Sequence, residues 1–506
     1  MQTVAEALIA AIQHQQAARY PEAEAFYRAV LDQEPDQPQA LYLYGLLKLH
    51  TDAPRKAVDL LARAAALRPA HAATRLNLAR ALLAAHRPAE VLEQADAILI
   101  RDPALAEAHY LRGTALNALD RAAEAVPALE RAIALDPTIA AAHLNLGNAH
   151  ADLDDLAAAE AHCRAAIARD PALVEAHASL GFILTSRGRL QQAMAACAEA
   201  IRLAPDYADA HWNLAVAALL AGDFTLGFEK YEWRKRHDRF HRDFLDLPGP
   251  VWHGENLAGR TLLVNAEQGL GDTIQLARYL PLIAEAGGRP VLACDPSLTG
   301  LLATLPGVAT VAKTGQLPPC DFWIDQMSLP RVFATLPDTI PCAAGYLSAD
   351  PARVAAWRAR LPHGKKIGIV WAGNPAHSND RRRSLPPAAL ARILAVPGIE
   401  FVSLQVGPRA RETALKDNTP LLRDYAETAA LIENLDLVIA IDTSVAHLAG
   451  ALGKPCWLLL PFAPDWRWLD GRDDTPWYSS LRLFRQPAPG DWDSVAGRVA
   501  LGLAAQ

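Results

Sequence analysis

With 506 residues, 51% hydrophobic and 21% charged, the chain has the balance of a well-packed protein of two to four domains. Its formal charge of −7 argues against general nucleic-acid binding, and no run of about 18 apolar residues predicts a transmembrane segment. Six scattered cysteines without CxxC spacing predict reduced thiols rather than a disulfide frame or a zinc site. Residues 1–25 lack a basic start and a continuous apolar core, so no signal peptide and a cytoplasmic location are expected.

From the N-terminus the chain repeats itself. Pro35, Pro69, Pro103, Pro137, Pro171 and Pro205 recur every 34 residues. The same register carries Gly45, Ala79, Gly113, Gly147, Gly181 and Ala215, and a second small position at Ala23, Ala57, Val91, Ala125, Ala159 and Ala193. Small residues at fixed points let paired helices approach closely, and the proline starts each new unit after a turn. The pattern resembles the tetratricopeptide repeat, with six full units over about 4–207 and a degenerate seventh over 211–236. The expected architecture is an α-solenoid over 1–235, with the first helix of each unit lining a concave groove. Asn77, Asn145 and Asn213 hold one equivalent position in alternate units, with Leu43, Leu111 and Ser179 between them. Such a row can hydrogen-bond an extended peptide, or be no more than polar helix surface. It is similar to the asparagine ladder of O-linked N-acetylglucosamine transferases, although interrupted here.

Charged residues 235–239 and Leu247-Pro248-Gly249-Pro250 mark a linker over 236–250. Beyond it the alanine-rich texture ends, and nine of the eleven tryptophans lie from Trp252 onward. Strand-like runs at 261–265, 291–294, 308–312 and 322–325 alternate with helical ones, including one over about 272–286. A second set follows a helical stretch at 352–360, with runs at 366–371, 401–405, 437–441 and 456–460. Alternation of β and α predicts parallel sheets. Two sets predict two Rossmann-like halves, 251–345 and 346–506, with a tail helix over 492–505.

Three motifs fall at predicted strand ends. Glu267-Gln268-Gly269-Leu270-Gly271-Asp272-Thr273 joins the first strand to its helix, and Asp272 either caps that helix or faces a cleft. Residues 371–386 form a polar loop with Arg381, Arg382 and Arg383, suited to a diphosphate or simply solvated. Asp442-Thr443-Ser444 then offers candidate caps for a helix over 446–452 with Gly453 at C′. A helix N-terminus at the end of a parallel strand favours an anion, although the same step also serves as a plain crossover. Residues 464–468, 475–478 and 482–485 interleave aromatic residues with arginine, for stacking a base or sugar or for packing. Asp491-Trp492-Asp493, away from strand ends, is not read as a metal site.

Together Gly269–Thr273, the basic loop ending Arg383-Ser384-Leu385-Pro386, and Asp442–Pro455 resemble the heptosyltransferase-like glycosyltransferases, which have the GT-B fold. That resemblance implies metal-independent, inverting transfer of a sugar from a nucleotide-diphosphate donor, with no cofactor. It implies Asp272 as general base, with Gly271 beside it among the donor or phosphate contacts. Donor contacts fall on Arg383 and Ser384, and on Asp442, Thr443, Ser444 and His447. Gln405 would lie near the nucleotide ribose or base. The repeats would recruit a protein or glycan acceptor. The alternative is a repeat scaffold whose glycosyltransferase-like half no longer catalyses.

Overall fold

The computed structural model describes residues 3–237, 247, 249–341, 344–377 and 379–505. Most of the predicted linker, together with Cys342 and Ser378, lies outside the described residues. The chain divides into two compact units, Met1–Ile183 and Leu184–Gln506.

The first unit is made of paired helices: α1 (Val4–Gln16), α2 (Tyr20–Gln33), α3 (Pro38–His50), α4 (Pro54–Leu67), α5 (Ala72–Ala84), α6 (Pro88–Leu99), α7 (Ala106–Ala118), α8 (Ala122–Leu135), α9 (Ala140–Asp152), α10 (Leu156–Arg169) and most of α11 (Val174–Ser186). The pattern continues into the second unit with α12 (Leu190–Leu203), α13 (Ala208–Leu220) and α14 (Phe224–Tyr231).

Each pair closes on one residue in the left-handed region, and that residue also recurs every 34 positions: Ala18, Asp52, His86, Asp120, Asp154, Gly188 and Gly222. The N–H that follows it reaches back to a carbonyl of the preceding helix, as Arg19 to His14 and Arg121 to Leu116, both 2.9 Å. The small positions act as the spacing predicts. A Cβ on Gly113 would stand 2.4 Å from the Leu129 side chain, so only glycine lets α7 and α8 meet here.

In the second unit two parallel sheets follow. The first has the order β3-β2-β1-β4, with β1 (Thr261–Asn265), β2 (Arg289–Cys294), β3 (Ala309–Ala312) and β4 (Phe322–Asp325). Leu263 pairs with both Val291 and Trp323. Its helices are α15 (Leu270–Leu276), α16 (Leu280–Glu285), α17 (Pro296–Leu302) and α18 (Leu329–Val332). The single helix expected over 272–286 is two, joined by a 3-10 turn, because Pro281 restarts the second.

After α19 (Pro351–Arg358) comes the second sheet, of order β6-β5-β7-β8-β9: β5 (Lys366–Val370), β6 (Glu400–Ser403), β7 (Leu437–Ile441), β8 (Cys456–Leu460) and β9 (Leu481–Arg485). Its helices are α20 (Asp380–Arg383), α21 (Pro387–Leu394), α22 (Tyr425–Glu433), α23 (Ser444–Ala451) and α24 (Trp492–Ala504). Every residue of β7 and β8 is buried, which explains their continuous apolar runs. Residues 482–485, read as an aromatic-arginine segment, belong to a strand beside β8, where Leu458 pairs with Leu483. The tail helix packs on the second sheet through Trp492, Val495, Val499 and Leu503.

The compact-unit boundary lies inside α11 rather than near residue 235. The reason is aromatic. Phe224, Phe228 and Tyr231 are buried in one core with Ile274, Trp466 and Trp477, and Phe224 stacks on Trp477 at 5.8 Å. The last repeat is therefore part of the α/β core.

Candidate functional site

The glycine turn after β1 and the β7–α23 step meet. A Cβ on Gly271 would come within 2.8 Å of the His447 ring and 3.4 Å of Ser444 Cα, so glycine is required for α15 and α23 to touch. This contact joins the C-terminal edges of the two sheets and brings Asp272 close to Ser444 and His447 in structure, although they are far apart in sequence.

Asp272 combines both of its sequence readings. Its Oδ2 accepts the Gly269 N–H at 2.7 Å, the reach-back half of a capping box. Its Oδ1 is paired with the Arg467 guanidinium. Arg467 also donates to Gln275 Oε1 at 2.6 Å and Asp465 Oδ1 at 2.8 Å, and lies over the Trp466 ring at 4.2 Å. Burial raises the Asp272 pKa above the usual carboxylate range; Arg467 opposes the rise and Asp465 adds to it. A carboxylate held there is better matched to accepting a proton near neutral pH than an ordinary aspartate.

Glu267, the nearest rival for that role, is occupied. Arg234 of the last repeat donates to its two oxygens at 3.0 and 2.7 Å, both side chains are fully buried, and Met327 N–H adds a third bond. Removing one member of such a pair costs about 3–5 kcal/mol.

On the other side, Thr443 is the residue before α23, but its hydroxyl turns back to the Ile441 carbonyl and makes no cap bond. The first turn of α23 is left without a side-chain cap, and Arg383 lies beside it, donating to the Asp442 carbonyl at 3.0 Å. Positive helix end and guanidinium together suit an anion. Burial and then Asp465 push the Asp442 carboxyl well above the usual range, against Trp468, Arg383 and Arg467. Ser444 Oγ shares a hydrogen bond of 2.5 Å with the Tyr425 hydroxyl.

Three of the predicted donor contacts brace the site from within. Ser384 Oγ is bonded by Gly373 N–H and Arg409, each at 3.3 Å, and Gln405 Oε1 accepts the Trp371 and Ala372 N–H groups at 3.2 and 2.9 Å. Both are buried and fix the loop that carries Arg383. His447 is also buried, stacked on Trp468 at 5.1 Å and 3.1 Å from the Tyr478 hydroxyl. Burial, then Arg467 and Arg278, hold its pKa well below the ordinary histidine value, so the ring is neutral.

Sequence reading missed the role of Arg467, Arg234 and Arg278. Arg278 is buried and donates to the Gln275 and Trp477 carbonyls, both at 2.8 Å, tying the first half to the second. The one signal for Arg467 was its flanking by Trp466 and Trp468.

In the repeats, Asn77 is nine-tenths buried and bonds Tyr42 at 3.0 Å and the Ala73 carbonyl at 2.9 Å, while Asn145 donates to Thr114 at 2.8 Å. Asn213 lies on α13. The first two of the row thus serve contacts between and within repeats. Asp491 caps α24 through Ser494 N–H at 3.0 Å. Among the described residues no group of three or more His, Cys, Asp or Glu is arranged to hold a metal ion, and no helix is long and apolar enough to cross a membrane.

The fold therefore defines a repeat protein joined to a two-sheet parallel α/β region. A tetratricopeptide-repeat family model matches residues 10–72, 76–138, 110–174 and 183–232, so the N-terminal region consists of these repeats. Protein FlbA of Caulobacter vibrioides is 31% identical over 322 residues, covering 57% of this chain and 54% of its own. The chain thus spans about half the length of that curated relative. Solved structures similar to the repeats include a thermophilic tetratricopeptide-repeat protein of Thermus thermophilus, 26% identical, with 36% of this chain and 99% of the other covered and a TM-score of 0.33. A repeat protein of Parabacteroides merdae is 14% identical, covering 47% and 94%, with a TM-score of 0.41.

Proposed function

We propose that the α/β region is an inverting, metal-independent glycosyltransferase of the GT-B type, and that the repeats recruit its protein or glycan acceptor. The observation that carries this reading is the meeting of the Asp272 turn with the uncapped start of α23 beside Arg383. A nucleotide-diphosphate sugar would set its diphosphate against α23 and Arg383. The acceptor hydroxyl or amide attacks the anomeric carbon, the bond from that carbon to the diphosphate oxygen breaks, and Asp272 takes the acceptor's proton. The nucleoside diphosphate leaves with the bonding electrons. Its negative charge is balanced by the arginine and the helix end, so no metal is needed.

One observation favours the rival, a non-catalytic repeat scaffold: both Asp272 oxygens are already bonded, to Gly269 and to Arg467. A thermal-shift screen of uridine, adenosine, guanosine and thymidine diphosphates and their sugars separates the two. A ligand at 100 times its Kd stabilises by about 2.7 kcal/mol. A shift with one nucleotide class, followed by release of that diphosphate from its sugar, is the expected result; no shift with any leaves the scaffold.

A further inference from the structure

The geometry points to Arg234 as a positioning residue that ties the last tetratricopeptide repeat to the glycine turn carrying Asp272, so that the α/β region depends on that repeat for its active arrangement. This rests on the glycosyltransferase reading only for what the turn does. Six hydrogen bonds carry it. Arg234 follows α14 in a 3-10 turn, Glu232–Arg236, and is itself fully buried. Its fork grips Glu267, the first residue of the turn motif, through two parallel bonds, and a third bond reaches Ser328 at 2.9 Å. Its remaining nitrogen is held by its own repeat, at Tyr231 O (3.2 Å) and Glu232 Oε1 (2.9 Å), so the guanidinium cannot swing away without leaving buried donors unpaired. One residue on, the Tyr231 hydroxyl donates to Gln268 at 3.1 Å, and Gln268 has a left-handed backbone, φ 64°.

The repeat therefore grips both residues that precede Gly269, the partner of Asp272. The same repeat reaches the other side of Asp272: Tyr231 and Phe228 meet the Trp466 ring edge-on at 6.0 and 5.7 Å, and Trp466 carries Arg467 on its face. Repeat, glycine turn and Arg467 form one continuous buried set. The bonds and ring contacts from the repeat in this set end on Glu267, Gln268, Ser328 and Trp466, so loosening them is expected to act on the Asp272 turn before it reaches α23 and Arg383.

The test uses the full chain with Arg234→Lys, which keeps the charge and loses the fork. Tyr231→Phe, which removes only the Gln268 bond, is the milder variant should Arg234→Lys not fold. Hydrogen exchange is followed in peptides covering 267–276 and 437–451, and release of nucleoside diphosphate from the donor found in the screen gives kcat and KM. The expected result is exchange at least tenfold faster in 267–276 and unchanged in 437–451, with kcat lowered about tenfold or more and donor KM within twofold. Unchanged exchange in 267–276 overturns the inference, as does faster exchange with unchanged kcat. Should the wild type turn over no donor, the glycosyltransferase reading falls, and the exchange data alone decide whether Arg234 holds the turn.

Discussion

The two units bury different things. The first unit buries alanine, leucine and tyrosine at positions repeated every 34 residues, and most of its ion pairs, such as Arg87–Glu90 and Arg121–Glu124, sit in solvent where they add little. The second unit buries charge: Arg234, Arg278 and Arg467 lie inside it, each bonded to several partners, although one terminal nitrogen of Arg278 is left without one. Buried charge is costly to desolvate and survives only when its partners are fixed. A protein that keeps three such arginines around one contact between two sheets is spending stability on geometry, and that contact is where Asp272, Asp442 and Arg383 come together.

The largest effect that sharpens this contrast is expected at Asp272. Asp272→Asn should lower turnover by about 10²–10⁴, the usual contribution of a general base. It should not destabilise the fold through charge. The folded pKa is raised, so ionisation of Asp272 costs folding free energy as pH rises from the unfolded value through the folded one, and a neutral amide avoids that cost. The amide oxygen can still accept the Gly269 N–H. Wild-type turnover in the variant would reduce Asp272 to a cap.

The first unit has its own exception to apolar burial. His143, His162 and His150 stack in sequence, with ring centroids 5.6 and 5.5 Å apart. Burial, with Arg169 and His162 adding to it, lowers the His143 pKa to about 4, and burial lowers that of His162. Depressed histidines bind fewer protons folded than unfolded, so stability is present above the unfolded pKa and is lost as pH falls below it. Between pH 7 and 5 the chain should therefore lose stability, His143 contributing through its depressed pKa. Denaturant melts of the full chain, followed by helical circular dichroism, check this, and His143→Gln should flatten the dependence.

A smaller effect is expected at Asp442. Because its carboxyl titrates above the usual range, it is protonated at mildly acid pH and charged above it, where it repels a diphosphate. Nucleoside-diphosphate affinity should fall by at most about tenfold per pH unit as Asp442 ionises. In Asp442→Asn the slope should disappear; an unchanged slope would assign it to another group.

How much of this was legible follows the same division. The repeats were readable because one short-range interaction is stated six times over, down to the small residues facing Leu61 and Leu129. The left-handed closing position was hidden, since only Gly188 and Gly222 among its seven occupants show the usual glycine; Asp and His tolerate it and Ala18 simply adopts it. Strands β1 to β8 were readable as strand-like runs, whereas β9 alternates Leu481 and Leu483 with arginine and read as a segment for stacking a base or sugar or for packing. At the site, Asp272, Arg383 and the α23 start were marked by turn chemistry. Arg234 and Arg467 were not, because their partners lie 33 and 195 residues away and no local pattern announces a buried ion pair. For the same reason the protein partners of Ser384, Gln405 and His447 could not be read from the sequence.

The proposed function requires that the start of α23 and Arg383 form a diphosphate site. Calorimetric titration of the full chain and of Arg383→Ala, with the nucleoside diphosphate that the screen selects, tests it most directly. Binding by the wild type and a loss of roughly 1.5–3 kcal/mol in the variant, the range for hydrogen bonds to charged groups, are expected, with Arg383→Lys recovering only part. Equal affinities for wild type and Arg383→Ala would contradict it.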